Sequence, residues 1–270
     1  MIDLMDKKLL LEEMNADQVK NVVNNNSIAF IVLGSCENHG DHLPFGSDSI
    51  FPLNLAKIIL GNIIKNNPSS EHNYFILPVM PYGVSIHHND FQMTLSLKFS
   101  TMISVIEDVL DSLAKNEIKK VLIINGHDGN IAPIEVASRN LKDKYSDMVI
   151  ACLESWWILV GQKNKNIFNV WNGLGHGGEA ETSAMMAIRP DLVDIKSAPE
   201  QIIPNLPGDD IRLYWKFSEL TRTGATGAPK KASVQKGQEI INILERVVLD
   251  FINKMNHSNW KYGVSTNNLE

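Results

Sequence analysis

The chain has 270 residues, of which 44% are hydrophobic and 21% are charged. This composition is typical of a soluble globular protein and excludes disordered and fibrous classes. A net charge of −6, without a Lys- or Arg-rich run, argues against a nucleic-acid-binding surface. Acidic residues interrupt the apolar N-terminal positions, and no run of about 18 apolar residues occurs, so we expect neither a signal peptide nor a membrane span. Two cysteines, Cys36 and Cys152, favour the reducing cytoplasm.

Strand-like and helix-like segments alternate along the chain. Short apolar runs predict four buried strands, at 28–34, 74–80, 120–124 and 148–153. Apolar positions at helical spacing predict helices at 49–64, from about 100 to 113, at 131–143 and at about 232–256. Strands separated by helices of this length imply parallel pairing. We therefore predict an α/β fold, a three-layer αβα sandwich with a mostly parallel central sheet.

The predicted elements form one domain over residues 1–270, with a core of about 15–256. The polar C-terminal tail, 257–270, is expected to fray. The segment 190–230 is richer in Pro and Gly. We expect this segment to be an excursion around an active site or a subunit contact.

Polar side chains are concentrated directly after the predicted strands. In open parallel sheets, ligands bind beyond the carboxyl ends of the strands. Six of the eight histidines lie in these loops or in a later His-Gly-Gly element. Any one of them alone is more often a polar surface or capping residue. Their shared placement nevertheless indicates one site.

Four residues, Glu37, His39, Asp48 and His127, form the candidate metal centre. Glu37 and His39 are two residues apart, so their side chains point to the same side of an extended segment. Asp48 lies at the start of a predicted helix, so its side chain can reach the same place as Glu37 and His39 and bridge two metals. His127 adds a second imidazole. Carboxylate and imidazole ligands suit Zn, Mn or Fe.

Two further groups of residues are candidates for catalysis and for substrate binding. Glu179 and Glu181 follow a glycine-rich helix start. They are either ordinary first-turn acids or a metal ligand and general base, with His176 as proton donor. Adjacent tryptophans after a strand cannot both point inward, so at least one is expected to line a pocket wall. We expect substrate contacts from Ser85, His88, Asp128, Trp156, Trp157 and Trp171.

Four ordered segments resemble the creatininase (creatinine amidohydrolase) family. They are G-S-x-E-x-H-G-x-H-L-P-x-G-x-D at 34–48, N-G-H-x-G-N at 125–130, H-x-G-E-A-E-T-S at 176–183, and G-x-x-G-x-P at 224–229. The resemblance runs from about residue 15 to 250. It implies an αβα fold, two divalent metal ions per subunit and a homo-oligomer, usually a hexamer. Carried over by position, Glu37 and His127 would bind one metal and His39 the other, with Asp48 bridging.

One position departs from the pattern of creatininase itself, which has a glutamate ligand two residues after the histidine of the second segment. Here that position is Gly129, so another carboxylate must complete the second metal site. We expect Glu181 to do so, with Glu179 as the second candidate.

The resemblance implies a metal-dependent amidohydrolase that cleaves a C–N amide-type bond, in a cyclic amide or a formamide. The substrate would be a small molecule, attacked by a metal-activated water. Glu181 or Glu179 would move the proton, and His176 would assist the leaving nitrogen. Two alternatives stay open. One is a dimetal phosphoesterase, against which no arginine cluster lies near the motifs. The other is a non-catalytic metal-binding family member. The intact ligand set argues against it, but the glycine at 129 keeps it open.

Overall fold

Four β-strands and eight α-helices, besides short 3₁₀ turns, make up the regular structure in the computed structural model, which describes residues 9–66, 73–206, 211 and 213–263. The strands are β1 (Ile28–Leu33), β2 (Tyr74–Ile76), β3 (Lys120–Asn125) and β4 (Val149–Leu153). The helices are α1 (Ala16–Val22), α2 (Ser47–Asn66), α3 (Phe99–Lys115), α4 (Ile131–Lys144), α5 (Trp156–Lys163), α6 (Glu179–Ile188), α7 (Phe217–Leu220) and α8 (Val234–His257).

The strands form one sheet in the order β2-β1-β3-β4, and each pairing is parallel. In the register, Ile28 of β1 lies between Tyr74 of β2 and Lys120 of β3. Strand β2 is shorter than the predicted 74–80. Pro78 follows it, and proline has no backbone N–H to continue a ladder. Met80 beyond it still donates to the Val32 carbonyl at 3.0 Å.

Alternate residues of β1 face two separate cores, as the period of a strand requires. Phe30 packs in a cluster with side chains of α2, α5, α6 and α8. Ile31 packs in a second cluster with side chains of α3 and α4. The central strand is therefore buried on both faces. The predicted αβα sandwich is confirmed, and its sheet is parallel throughout the described residues.

The first residues of the predicted polar tail pack against the end of α8. The Trp260 ring is 4% exposed, lies 6.2 Å from the Phe251 ring and donates from Nε1 to Asn256 at 2.8 Å. One large aromatic side chain therefore holds this segment against α8. The polar composition of the segment did not predict this contact. The rest of the predicted tail, 264–270, lies outside the described residues. Within the described ranges, no helix combines the length and apolarity needed to cross a membrane.

Candidate metal centre

The ends of β1 and β3 meet the start of α2 at one point, where Asp48 lies. Gly126, directly after β3, makes this approach possible. A Cβ atom there would lie 1.9 Å from the Asp48 backbone oxygen, so only glycine fits. The loop after β1 brings Glu37 and His39 to the same place, and the loop after β3 brings His127. These four side chains are all at most 5% exposed.

The Glu37 carboxylate is the centre of a ring of imidazoles. Its Oε1 lies 3.3 Å from His127 Nδ1, 3.5 Å from His88 Nε2 and 3.6 Å from His176 Nδ1. Burial alone would raise the pKa of Glu37. The charge of the neighbouring His127 holds that pKa well below its usual range. Glu37 is therefore a carboxylate surrounded by nitrogen donors, as a metal ligand requires.

The Asp48 carboxylate faces two imidazoles from different loops. Its Oδ1 lies 2.9 Å from His39 Nε2, and its Oδ2 lies 3.2 Å from His127 Nδ1. Burial would raise the pKa of Asp48, but the charge of His39 and its hydrogen bond to Oδ1 lower it. A carboxylate with one oxygen toward each of two groups can serve two ions at once.

A second group of possible ligands contains His39, His176 and Glu181, whose ligand atoms lie within 4.8 Å of one another. His39 Nδ1 donates to the Glu37 carbonyl at 3.0 Å, so its Nε2 faces the centre. Burial would lower the pKa of His39, but Asp48 raises it to about 10. Burial raises the pKa of Glu181 to about 7, and its Oε2 accepts from the Gly177 amide at 2.6 Å.

The hydrogen bond of His176 decides which of its ring nitrogens faces the centre. Its Nε2 donates to the Asn38 carbonyl at 2.6 Å, which leaves the Nδ1 lone pair facing Glu37. Burial, helped by the charge of His39, holds the pKa of His176 well below its usual range. A neutral imidazole of this tautomer accepts a proton or binds a metal. The Nδ1 atom is therefore the position at which His176 would take up a proton and pass it on, and its role as a proton donor stays a prediction.

His127 is oriented by contacts on its outer side. Its Nε2 donates to the Val84 carbonyl at 3.0 Å, which leaves Nδ1 free toward the carboxylates. Ser85, predicted to touch substrate, instead lies behind this ring. It is fully buried, contacts Ser35 Oγ, and has its own Oγ 3.3 Å from His127 Nε2. Hydrogen bonds to the outer nitrogen of a ligating imidazole fix the orientation of its ring.

Two neighbouring histidines after β2 belong to the centre. His87 groups with Glu37 and His127, and His88 groups with Glu37 and His176. From the sequence we expected His88 to contact substrate, and His87 was not among the predicted site residues. Burial lowers the pKa of His88 to about 3, so its ring is neutral. The pair of histidines in a loop that follows a strand was the available signal for both.

Several buried oxygen and nitrogen atoms at the centre lack a hydrogen-bond partner. Among the described residues, no hydrogen bond reaches Glu37 Oε1, Asp48 Oδ2 or either ring nitrogen of His88. Buried polar atoms without partners are uncommon in native proteins. Their oxygen and nitrogen chemistry is that preferred by Zn, Mn and Fe. The residues present therefore fit divalent metal ions.

A cavity of about 200 Å³ opens onto these groups. Three predicted contacts, Asp128, Trp157 and Trp171, line its wall. Trp215 and Phe217, from the predicted excursion at 190–230, line it too and were not predicted. Trp156, the neighbour of Trp157, does not reach this cavity. It is 2% exposed and packs 4.6 Å from the Phe51 ring in the core, which corrects its predicted role.

Glu179 lies away from the centre, which corrects both of its predicted roles. Its carboxylate is fully buried and accepts from the Asn169 and Val170 amides at 3.0–3.1 Å. It also forms an ion pair with Lys236 of α8. These partners occupy both oxygens. Glu179 therefore holds the loop before α6 onto α8.

Replacing Glu179 by Gln is expected to destabilise the fold by about 2–3 kcal/mol, because Lys236 loses its buried partner. Urea unfolding measures this change, and metal content should stay at the wild-type level. Glu200→Gln is the matched control, since Glu200 pairs with Lys230 on the surface and should change stability by less than about 1 kcal/mol. Loss of metal with unchanged stability in Glu179→Gln would contradict this assignment.

Gly129 is required by the packing around His127. A Cβ atom at this position would lie 2.0 Å from the Val84 carbonyl oxygen and 2.6 Å from His127 Nε2. The same carbonyl accepts the hydrogen bond that orients His127. A glutamate at position 129 would therefore displace the ligand His127, so the carboxylate that creatininase has at this position must come from another residue.

The Gly129→Ala variant is accordingly expected to bind metal at least about tenfold more weakly, because it displaces the support of His127. Titration of the metal-free protein with Zn²⁺ measures the effect. Gly61→Ala in α2 is the control, since a Cβ there meets no atom within 4 Å and should only favour the helix. Equal affinity in both variants would contradict the close packing at Gly129.

Comparisons with known proteins show which family the chain belongs to. The family profile described as "Creatininase: Creatinine amidohydrolase" matches residues 12–252. Creatinine amidohydrolase of Pseudomonas putida is 25% identical over 267 residues, covering 92% of this chain and 97% of the relative. The mycofactocin precursor peptide peptidase of Mycolicibacterium smegmatis is 22% identical over 221 residues, covering 79% of each chain.

Solved structures show the same fold. A putative creatinine amidohydrolase from Bacteroides fragilis superposes with a TM-score of 0.81 and 23% identity, covering 97% of this chain and 100% of the other. A creatininase variant of the Zn-Zn type superposes with a TM-score of 0.75 and 23% identity, covering 92% and 98%. Since the family profile spans most of the sequence, the chain belongs to the creatininase family of hydrolases.

Proposed function

We propose that this protein hydrolyses a C–N amide-type bond of a small molecule, a cyclic amide or a formamide, with water activated by two divalent ions. The observation that carries the proposal is the Asp48 carboxylate, whose two oxygens face His39 and His127 separately. The relatives named as an amidohydrolase and a peptidase both act on bonds of this type.

The two proposed sites share Asp48. Glu37 and His127 would hold one ion, and His39 and Glu181 the other. Zn, Mn and Fe all suit these ligands. When bound, the ions would lower the pKa of a water toward neutrality and polarise the substrate carbonyl.

The protein's own residues supply positioning and proton transfer. Glu181 and the free Nδ1 of His176 are the groups able to accept a proton at the centre. The aromatic side chains of Trp157, Trp171, Trp215 and Phe217 enclose the reacting atoms and limit the entry of water. The cavity of about 200 Å³ suits a small molecule.

The cavity favours an amide over a phosphate ester. Among the described residues that line it, none is Lys or Arg. Phosphoryl transfer normally uses such cations to stabilise the charge on the phosphoryl oxygens. The complete set of metal ligands gathered at the centre likewise favours a catalytic protein over a non-catalytic metal-binding one.

The test uses protein stripped with a chelator and then reloaded separately with Zn²⁺, Mn²⁺ or Fe²⁺. Each form is assayed on cyclic amides and formamides, such as creatinine, hydantoin and N-formylglycine, and on p-nitrophenyl phosphate. We expect near-stoichiometric binding of two ions and amide hydrolysis that depends on them. Full metal loading with phosphate ester cleavage alone, or with no turnover of any amide, would overturn the proposal.

A further inference from the structure

His42 is a buried histidine that has no part in the proposed centre. It lies in the loop after β1, is 1% exposed and belongs to none of the groups of possible metal ligands among the described residues. Burial lowers its pKa, so the ring is neutral and carries one N–H. Its Nε2 lies 3.0 Å from the Gly177 carbonyl, which can only accept. The proton is therefore on Nε2, and His42 donates a hydrogen bond to Gly177.

Gly177 connects His42 to the centre. Its carbonyl accepts from His42 and, at 3.1 Å, from Thr182 Oγ1. Its amide donates to Glu181 Oε2 at 2.6 Å. The carbonyl and the amide lie on either side of one Cα atom, so the two backbone rotations of Gly177 relate their directions. Contacts that hold the carbonyl therefore also help to aim the amide.

Gly177 depends on such contacts because it is a glycine in the left-handed region. Its φ is 58°, and a Cβ atom there would lie 2.5 Å from the His39 carbonyl oxygen. Glycine adopts many backbone conformations at similar cost, so its own preference does not fix the direction of its amide. Of the two donors to its carbonyl, Thr182 belongs to the same helix start. His42 comes from the loop that carries His39, and it ties the start of α6 to that loop.

The direction of the Gly177 amide decides where the Glu181 carboxylate lies. One carboxylate oxygen is held by this amide, which leaves the other for an ion that His39 would share. A long, flexible side chain such as Glu181 loses conformational freedom when it binds an ion. A hydrogen bond that fixes the carboxylate beforehand reduces this cost and so strengthens binding.

We propose that His42 is a positioning residue of the second metal site, which acts through Gly177 to hold Glu181 in place for its ion. This inference rests on the proposed centre of two ions. His42 itself would contact neither an ion nor the substrate, and its effect should be confined to the site that contains Glu181.

Titration of the metal-free protein with Zn²⁺ tests the proposal, because it measures the affinities of the two sites. His42→Phe keeps a ring of similar size but has no N–H. It should weaken the second ion about tenfold, as expected for a residue that orients a ligand, and change the first by less than about twofold. His42→Gln places a donor near the position of Nε2 and should recover most of the affinity.

The matched control is His257→Phe. His257 is exposed on α8, and its ring also contacts a backbone carbonyl, that of Asn253, at 2.7 Å. The same substitution at this position should change neither affinity. Circular dichroism shows whether each variant is folded. Equal weakening of both ions in His42→Phe, or an unchanged affinity for the second ion, would overturn the role of His42.

If His42→Phe does not fold, His42→Gln and His42→Asn decide the question. The shorter amide of asparagine does not reach the Gly177 carbonyl, whereas that of glutamine does. The second ion should then bind about tenfold more weakly to His42→Asn than to His42→Gln. Equal affinities in these two variants would contradict the proposal.

Metal affinity also separates this inference from the proposed function. If the second ion depends on His42 but no amide is hydrolysed, the proposed reaction fails and the role of His42 stands. If amides are hydrolysed but the second ion binds equally well to wild type and His42→Phe, the role of His42 fails and the proposed reaction stands.

Discussion

An Asp48→Asn variant is expected to lose both metal ions together, with metal affinity reduced more than about 100-fold and no measurable turnover. Asparagine has the same shape, so the start of α2 should still pack against Gly126. Its amide carries only one ligating oxygen, whereas the aspartate directs one oxygen to His39 and the other to His127. The NH₂ group must therefore face one of the two imidazoles.

Mass spectrometric metal analysis after dialysis, together with kinetics on the amide panel, measures this loss. Asp143→Asn is the control, because it removes an equal charge from the surface of α4. If Asp48→Asn kept one ion at wild-type affinity, Asp48 would serve a single site. The proposed sharing of one carboxylate between two ions would then be wrong.

The sheet and its strand-end loops were predictable from the sequence for a physical reason. Buried parallel strands read as short apolar runs, and a parallel sheet brings the carboxyl ends of its strands to one edge. Glu37 and His127 follow β1 and β3, which are neighbours in the sheet. Their proximity therefore follows from strand order alone, before any side chain is placed.

The choice between adjacent candidates was not predictable in the same way. Glu179 and Glu181 are two positions apart on one helix, so they point to roughly opposite sides. Which of the two carboxylates faces the centre depends on how α6 packs against α8, where Lys236 forms an ion pair with Glu179. Trp215 and Phe217 come from an irregular segment. Its apolar residues show no regular spacing from which the conformation of its backbone could be predicted. Tertiary packing decided each of these cases.

A Glu181→Gln variant is expected to lose one of the two ions and to keep the other, with turnover reduced about 100-fold or more. Glutamine still accepts the Gly177 hydrogen bond through its amide oxygen, so the start of α6 should keep its structure. The carboxylate charge beside His39 is lost. Gly129 offers no substitute, since its packing admits no side chain.

The pH dependence of metal binding distinguishes a ligand from a proton carrier at this position. Burial raises the pKa of Glu181 to about 7 without metal, and a ligand must lose its proton to bind an ion. Between pH 8 and pH 6, protonation of Glu181 should weaken the second site about tenfold beyond the effect of His39. Glu181→Gln should lack this additional dependence. If Glu181→Gln bound two ions normally but had lost turnover, Glu181 would be assigned to proton transfer. The second ion would then be held by His39, Asp48 and His176.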